Sequence, residues 1–110
     1  MFIIEPTLLF LSELKALKKK YPSIINDVAA FVQLLKVNPL SGTSLGNNCF
    51  KTRIQIKSKG KGKSGGARII TYVKVINEKV YLIFIYDKSE RDTVTSKEIK
   101  EILNISGLNL

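Results

Sequence analysis

The sequence predicts an α+β domain in which helices cover one face of a mostly antiparallel, four-stranded sheet. Three observations support this class. Apolar residues recur every three to four positions before residue 40, they alternate with polar residues from Cys49 onward, and 110 residues suit one domain, residues 1–110. The expected order is strand, helix, helix, strand, strand, strand, helix. The first two helices form a hairpin, and the last helix lies on the same face.

The N-terminal third is expected to hold a short strand over residues 2–5 and the two helices. Leucines at positions 8, 11, 14 and 17 mark the apolar stripe of the first helix. That helix ends before Pro22, because the residue preceding a proline is disfavoured in the helical conformation. The second carries apolar residues from Ile24 to Leu35 and stops at Pro39. Residues 40–48, rich in Ser, Gly and Asn, are expected to form a loop.

Three strands and a helix are expected in the rest of the chain. Residues 49–57 alternate between an apolar and a basic face. Residues 58–66, SKGKGKSGG, are expected to be a flexible linker, and residues 67–76 a second strand. Residues 80–86 are almost continuously apolar, which is typical of a central strand buried on both faces. Thr95 and Glu98 match a capping box at the start of the last helix.

The positive charge is concentrated in the middle of the chain. The formal net charge is +9, and no acidic residue lies between Asp27 and Glu78. That window holds nine basic residues, namely Lys36, Lys51, Arg53, Lys57, Lys59, Lys61, Lys63, Arg68 and Lys74. A localised positive field attracts polyanions, so the pattern favours a nucleic-acid partner. A merely solvated surface is the alternative interpretation.

The composition excludes several classes of site. The chain has no histidine and one cysteine, which rules out histidine triads, zinc sites built on histidine or several cysteines, and an internal disulfide. We therefore expect no cofactor and no metal. A lone cysteine fits a reducing cytoplasm, and no apolar run approaches the roughly 20 residues that cross a membrane. The apolar start lacks the flanking features of a signal peptide, so we expect it to be part of the fold.

Basic and aromatic side chains on neighbouring strands are expected to converge on one cleft. They are Lys51, Arg53, Arg68, Tyr72, Tyr86 and Lys88. RNA offers a reaction for such a cleft, because the ribose 2′-hydroxyl can attack the adjacent phosphate once the protein aligns it and stabilises the charge. Arginine suits the phosphate, a lysine among cations loses its proton more readily, and tyrosine can stack on a base. Core packing for the tyrosines and a surface position for Arg68 remain alternatives.

Two stretches resemble a known family. CFKTRIQIKSKGKGKSGGARIITYV, residues 49–73, followed by VYLIFIYDKSERD, residues 80–92, is similar to the RelE/ParE superfamily of bacterial toxins and closest to its HigB-like branch. The resemblance implies a RelE-like fold and a cytoplasmic endonuclease that cuts mRNA in the ribosomal A site. It also implies a cognate antitoxin, often a helix-turn-helix protein, and binding of operator DNA only through the toxin–antitoxin complex.

The resemblance also implies roles for individual residues. The basic pair of the family falls on Lys51 and Arg53, its central arginine on Arg68, and its lysine after the last strand on Lys88. Two further family positions, an arginine and a late tyrosine, are occupied by serine and threonine in this chain, so Lys88, Tyr86, Arg91 or the ribosome would supply the acid and base. The residues expected to bind RNA or the ribosome are Lys57, Lys59, Lys61, Lys63, Tyr72 and Arg91.

Two hypotheses follow for the function. The first is a ribosome-dependent mRNA endonuclease of a type II toxin–antitoxin system, with Arg68 on the scissile phosphate. The second is a non-catalytic protein that acts by binding, either as a ParE-like gyrase inhibitor or as an RNA-binding module. The two missing family residues motivate the second hypothesis.

Overall fold

The computed structural model describes residues 2–108. Its helices and strands follow one another as β1 (Ile3–Pro6), α1 (Leu8–Lys20), α2 (Ile24–Val37), β2 (Thr43–Gly46), β3 (Cys49–Ile54), β4 (Ala67–Lys74), β5 (Lys79–Asp87) and α3 (Ser96–Ile105). The strands form one sheet in the order β1-β5-β4-β3-β2, antiparallel except for the β1–β5 pair. The predicted α+β class is confirmed.

The sheet has five strands where four were expected. The additional strand, β2, lies in the segment predicted to be a loop and pairs with the start of β3. Asn47 and Asn48 between them have φ values of 52° and 61°. Positive φ at both central residues of a two-residue turn matches the twist of a hairpin, and Asn tolerates that conformation better than most residues. The turn therefore allows the segment that was predicted to be a loop to pair with β3 as a short strand.

The helices cover both faces of the sheet, so the prediction that they share one face is wrong. α1 and α2 pack on one face against a cluster that includes Ile69 and Ile85, and α3 packs on the other against Ile70 and Ile83. All four of these isoleucines are almost completely buried. Because successive strand residues point to opposite faces, a strand as apolar as β5 needs a cover on each side. The prediction that β5 is buried on both faces is confirmed.

A β-bulge in β5 sets the position of its last residues. Ile70 pairs with Phe84 and the next residue of β4 pairs with Leu82, so Ile83 has no partner in β4. The extra residue shifts the alternation along β5. As a result Phe84 and Tyr86 lie on the same face as Ile83, towards α3.

The outer edge of β5 is covered in two ways. β1 pairs with β5 over Lys79–Leu82, and beyond that point α1 takes its place. The Glu13 carboxylate of α1 accepts a hydrogen bond from the Ile85 main-chain N–H at 3.2 Å. A carboxylate that accepts a hydrogen bond from an exposed edge N–H prevents another chain from pairing there.

Among the described residues, no helix is long and apolar enough to cross a membrane.

Candidate nucleic-acid interface

Four of the predicted catalytic residues lie together on the α3 side of the sheet. Arg53 is opposite Arg68 in the β3–β4 register, and Arg68 is opposite Tyr86 in the β4–β5 register. Lys51 lies two residues before Arg53 on β3, so alternation places it on the same side. We refer to these four side chains as the basic face. The register thus brings together side chains that are separated by up to 35 positions in the sequence.

The two residues on β3 are the accessible part of the basic face. Arg53 is exposed and Lys51 is half-buried. Among residues 2–108, neither side chain has a hydrogen bond or an ion pair. Arg53 is therefore available to a polyanion without breaking a hydrogen bond or an ion pair, whereas the Asp92 carboxylate lies close enough to Lys51 to interact with its charge.

Arg68 is buried, with 4% of its surface exposed. Its guanidinium donates to the Lys63 carbonyl at 3.0 Å, the Ala67 carbonyl at 3.2 Å and the Ser64 carbonyl at 3.3 Å. Burial lowers the pKa of Arg68, and the charge of Arg53 lowers it further. In this structure Arg68 therefore anchors the loop that precedes β4, and its N–H groups point at carbonyl oxygens where the sequence suggested a phosphate.

The Tyr86 hydroxyl is a buried polar group without a partner among the described residues. The side chain is 6% exposed. Burial raises the pKa of Tyr86, and the nearby charges of Arg68 and Arg91 oppose that rise. A buried hydroxyl without a hydrogen bond costs free energy, so such groups are uncommon in proteins, and a role in binding or catalysis is one explanation for them. The Tyr86 hydroxyl therefore has no hydrogen bond to lose, but it can donate to a group from solvent only if the side chains that cover it move.

Lys88, the fifth predicted catalytic residue, follows directly after β5 and is neutralised by an acid. Its ammonium group forms an ion pair with the Asp92 carboxylate four residues later. A hydrogen bond from Lys88 lowers the pKa of Asp92, and the charges of Lys88 and Lys51 contribute to the shift. Asp92 therefore lies near both lysines and competes with any phosphate for them.

Arg91 connects the loop after β5 to the start of α3. Its guanidinium pairs with the Glu98 carboxylate, and its Nε donates to the Thr93 carbonyl at 2.9 Å. The guanidinium carbon also lies 5.6 Å from the centre of the Phe84 ring. Thr95 and Glu98 form the predicted capping box, which is confirmed. Arg91 is half-buried in these contacts, and only part of it can reach RNA.

The glycine-rich segment before β4 is anchored, so the prediction of a flexible linker is wrong. Lys57–Lys59 forms a 3₁₀ turn. The Lys57 N–H donates to the Asp27 carboxylate at 3.2 Å, and the Ser58 N–H donates to the Ser23 hydroxyl at 2.8 Å. The segment is thus fixed to the start of α2 at one end and to Arg68 at the other. Glycine composition alone cannot reveal these distant partners.

Asp87 links three parts of the fold, and it is not among the residues predicted from the sequence. Its carboxylate accepts from the Lys59 ammonium at 2.7 Å, from the Tyr21 hydroxyl at 2.5 Å and from the Ser89 hydroxyl at 2.8 Å. The Lys59 and Asp87 side chains are 10% and 0% exposed. Burial alone would raise the pKa of Asp87, but the hydrogen bonds from Lys59, Tyr21 and Ser89 outweigh it and lower the pKa. The one available signal was a lone acid at the end of an apolar strand.

Two residues that were expected to bind RNA are withdrawn from solvent. Lys59 is paired with Asp87, as described above. Tyr72 is 7% exposed, and its ring stacks on Tyr81 with the centroids 6.2 Å apart, within the cluster beneath α3. Neither group can contact RNA in this structure, because each is committed to packing inside the protein. Lys57, Lys61 and Lys63 have exposed side chains, as an RNA-binding role requires.

The comparison with protein families agrees with this geometry. The family model described as the RelE toxin of the RelE/RelB toxin–antitoxin system matches residues 27–109, well over half of the chain. The match includes every strand of the basic face and the loop of exposed lysines. It begins inside α2, so α1 lies outside it. The chain belongs to the RelE toxin family.

Proposed function

We propose that this chain is the toxin of a type II system, of the HigB-like branch, and that it cleaves mRNA on the ribosome in the cytoplasm. The observation that carries the proposal is the basic face. In it Arg53, Arg68 and Tyr86 lie side by side on three neighbouring strands, and Lys51 lies next to Arg53. The positive charges of Arg53 and Lys51 can bind phosphates, and the nearby Tyr86 hydroxyl can act as a hydrogen-bond donor. The reaction needs little more from the protein, since the substrate carries its own nucleophile.

The accessible cations bind the RNA backbone. Arg53 holds the scissile phosphate, because it is the exposed arginine of the basic face and its planar guanidinium can form hydrogen bonds with two phosphate oxygens. Lys51 holds the neighbouring phosphate. Arg68 lies opposite Arg53 on the neighbouring strand, adds to the positive potential and fixes the loop before β4. Its guanidinium reaches the phosphate only if it leaves the three carbonyls.

Proton transfer is assigned to Tyr86 and Lys88. The 2′-oxygen attacks phosphorus, the bond to the 5′-oxygen breaks, and the products are a 2′,3′-cyclic phosphate and a 5′-hydroxyl. The Tyr86 hydroxyl donates to the phosphate oxygen or the leaving oxygen, where negative charge develops. Lys88, once released from Asp92 and deprotonated by water, accepts the proton of the 2′-hydroxyl as a neutral amine.

The loop lysines and the partner complete the proposal. Lys57, Lys61 and Lys63 dock on ribosomal RNA, since their exposed ammonium groups project from an anchored loop. An anchored loop loses less entropy on binding than a flexible one. The cognate antitoxin, a helix-turn-helix protein, neutralises the toxin and carries it to operator DNA.

Mapping transcript ends in cells tests the proposal. The wild type, a Lys51→Met/Arg53→Met variant and a Lys15→Met/Lys18→Met control would be induced, and 5′ ends mapped on a translated message and on the same message without a start codon. We expect new ends on the translated message for the wild type and the control, and none for the site variant. Ends that are equal for all three proteins, or equal on both messages, would refute it.

A non-catalytic toxin remains a second candidate because Arg68 is buried and Lys88 is neutralised in this structure. A protein of that kind would arrest growth by binding a target such as gyrase. It predicts arrest without new transcript ends. A supercoiling assay with purified gyrase separates the two, since only the second candidate inhibits the enzyme.

A further inference from the structure

A pocket of about 310 Å³ lies between α1 and the second half of β5. This volume is at the lower end of those that hold small ligands. The lining includes Glu13 of α1, Phe84 and Tyr86 of β5, and Glu90 and Arg91 of the loop that follows. Tyr86 also belongs to the basic face, and the positive charge of Arg91 acts on both Tyr86 and Glu13. The pocket therefore adjoins the basic face.

Three acidic residues line the pocket, and Glu13 differs from the other two in having no basic partner. The other two are paired with lysines, Asp87 with Lys59 and Glu90 with Lys20. Among the described residues Glu13 forms no ion pair, and its carboxylate accepts one hydrogen bond, from the main chain of β5. A glutamine could accept that hydrogen bond equally well. Covering the edge of β5 therefore does not require an acid at this position.

The ionised form of Glu13 is costly in this pocket. Burial raises the pKa of Glu13 to about 7, although the hydrogen bond from Ile85 and the charge of Arg91 oppose the rise. A half-buried carboxylate that lines a pocket in this way is a candidate for ligand binding. The acidic residues disfavour a phosphate in the pocket, because like charges repel. The group that fits is therefore uncharged and donates hydrogen bonds, while phosphates remain on the basic face.

Guanine matches this carboxylate better than the other RNA bases do. An ionised carboxylate only accepts hydrogen bonds. The Watson–Crick edge of guanine presents two adjacent donors, the N1–H and the N2 amino group. Adenine and cytosine present one amino group beside a ring nitrogen that accepts, and uracil presents one N–H between two carbonyl oxygens. The Phe84 ring and the Arg91 guanidinium supply planar surfaces on which a base can stack.

We propose that this pocket binds a guanine base of the RNA substrate, with the Glu13 carboxylate accepting hydrogen bonds from the N1–H and the N2 amino group. The base stacks beside Phe84 and Arg91, and its phosphate stays on the basic face. Glu13 thus selects a nucleotide and takes no part in breaking the phosphate bond. The inference rests on the proposed function, since it assumes an RNA substrate, but its test uses RNA that cannot be cut.

Binding of short 2′-O-methyl RNAs tests the pocket separately from cleavage, because a blocked 2′-oxygen cannot attack phosphorus. The RNAs are runs of uracil that differ at one position, which holds guanine, hypoxanthine or adenine. Fluorescence anisotropy at about pH 8, above the pKa of Glu13, would compare the wild type, Glu13→Gln and Glu90→Gln. Glu90→Gln is the matched control, since it removes the same charge from the same pocket but from a residue that is paired with Lys20.

We expect the wild type to bind the guanine RNA about tenfold more tightly than the adenine RNA, as one bidentate contact to a base typically gives. Hypoxanthine lacks the amino group and should bind with intermediate affinity. Glu13→Gln should lose the preference and bind adenine better, because an amide offers one donor and one acceptor. Glu90→Gln should keep the preference. The amide chemical shift of Ile85 in the wild type should change when the guanine RNA binds.

The proposal is overturned if the wild type binds the guanine and adenine RNAs equally, if Glu13→Gln keeps the guanine preference, or if Glu90→Gln loses it as well. A guanine preference that depends on Glu13, in a protein that leaves transcripts uncut, would support the pocket and refute the proposed function alone. Circular dichroism and urea unfolding of each variant establish that the fold persists.

Discussion

Removing one partner of the Lys59–Asp87 ion pair should destabilise the fold strongly, because it leaves the other charge buried without its partner. The change that tests it is Lys59→Met, which keeps the length of the side chain and removes the charge. At an N–O distance of 2.7 Å, the Coulomb energy is roughly 6 kcal/mol at an effective dielectric constant of about 20, before desolvation is subtracted. Asp87 would keep its bonds from Tyr21 and Ser89. We therefore expect the free energy of unfolding to fall by about 3 kcal/mol, the lower part of the range for breaking one buried ion pair.

Urea unfolding of five proteins measures this contribution. They are the wild type, Lys59→Met, Asp87→Asn and the double variant, with Lys61→Met as the exposed control. The coupling energy from the cycle should be at least about 2 kcal/mol, and Lys61→Met should change the free energy of unfolding by less than about 0.5 kcal/mol. The pKa of Asp87 is lowered in the folded state, so this stabilisation should be present above about pH 4 and disappear as the pH falls. If Lys59→Met behaves like Lys61→Met, the loop is not anchored as described.

Three further predictions concern single side chains. Burial raises the pKa of Glu13 to about 7, so the folded state retains a proton that the unfolded state loses. The free energy of unfolding should fall by about 2–3 kcal/mol between pH 5 and 7, and urea titrations of Glu13→Gln, which keeps the acceptor for Ile85, should lack that slope. Tyr86→Phe should leave stability unchanged or raise it by up to about 1 kcal/mol, yet slow RNA cleavage by at least about tenfold; slowing in proportion to lost stability would contradict the assigned role. Asp92→Asn should tighten binding of a short RNA several-fold and steepen its salt dependence by about one phosphate contact, whereas an Asp92→Asn protein that binds as the wild type does would show that Asp92 does not shield the lysines.

The main features of the basic face could be predicted from the sequence because they depend on local periodicity. Strict alternation from Cys49 places Lys51 and Arg53 on one side of β3, and a strand as apolar as β5 must be central. Neighbouring antiparallel strands then bring Arg68 and Tyr86 beside them. These inferences need only the period of two and the order of the strands.

The features that the sequence did not reveal depend on distant partners. Nothing in the glycine-rich segment indicates that Lys59 will pair with an aspartate 28 residues later. The helix α3 is amphipathic whichever face it covers, and only the burial of Ile70 and Ile83 shows which face needed it. Tyr72 lies on the predicted face of β4, the same face as Arg68. However, α3 covers that face at Tyr72, so its side chain is buried.

The nature of the RNA ends tests the central claim most directly. Purified protein would be added to a ribosome complex stalled on a defined message with an empty A site, and the cleaved message analysed for its 3′ terminus. We predict a single cut in the A-site codon that leaves a 2′,3′-cyclic phosphate with the wild type, and a rate at least about a hundredfold lower with Arg53→Met, which loses a phosphate contact in the transition state. An uncleaved message, or a 3′-hydroxyl at the cut, would contradict the claim that the basic face directs attack by the ribose 2′-hydroxyl.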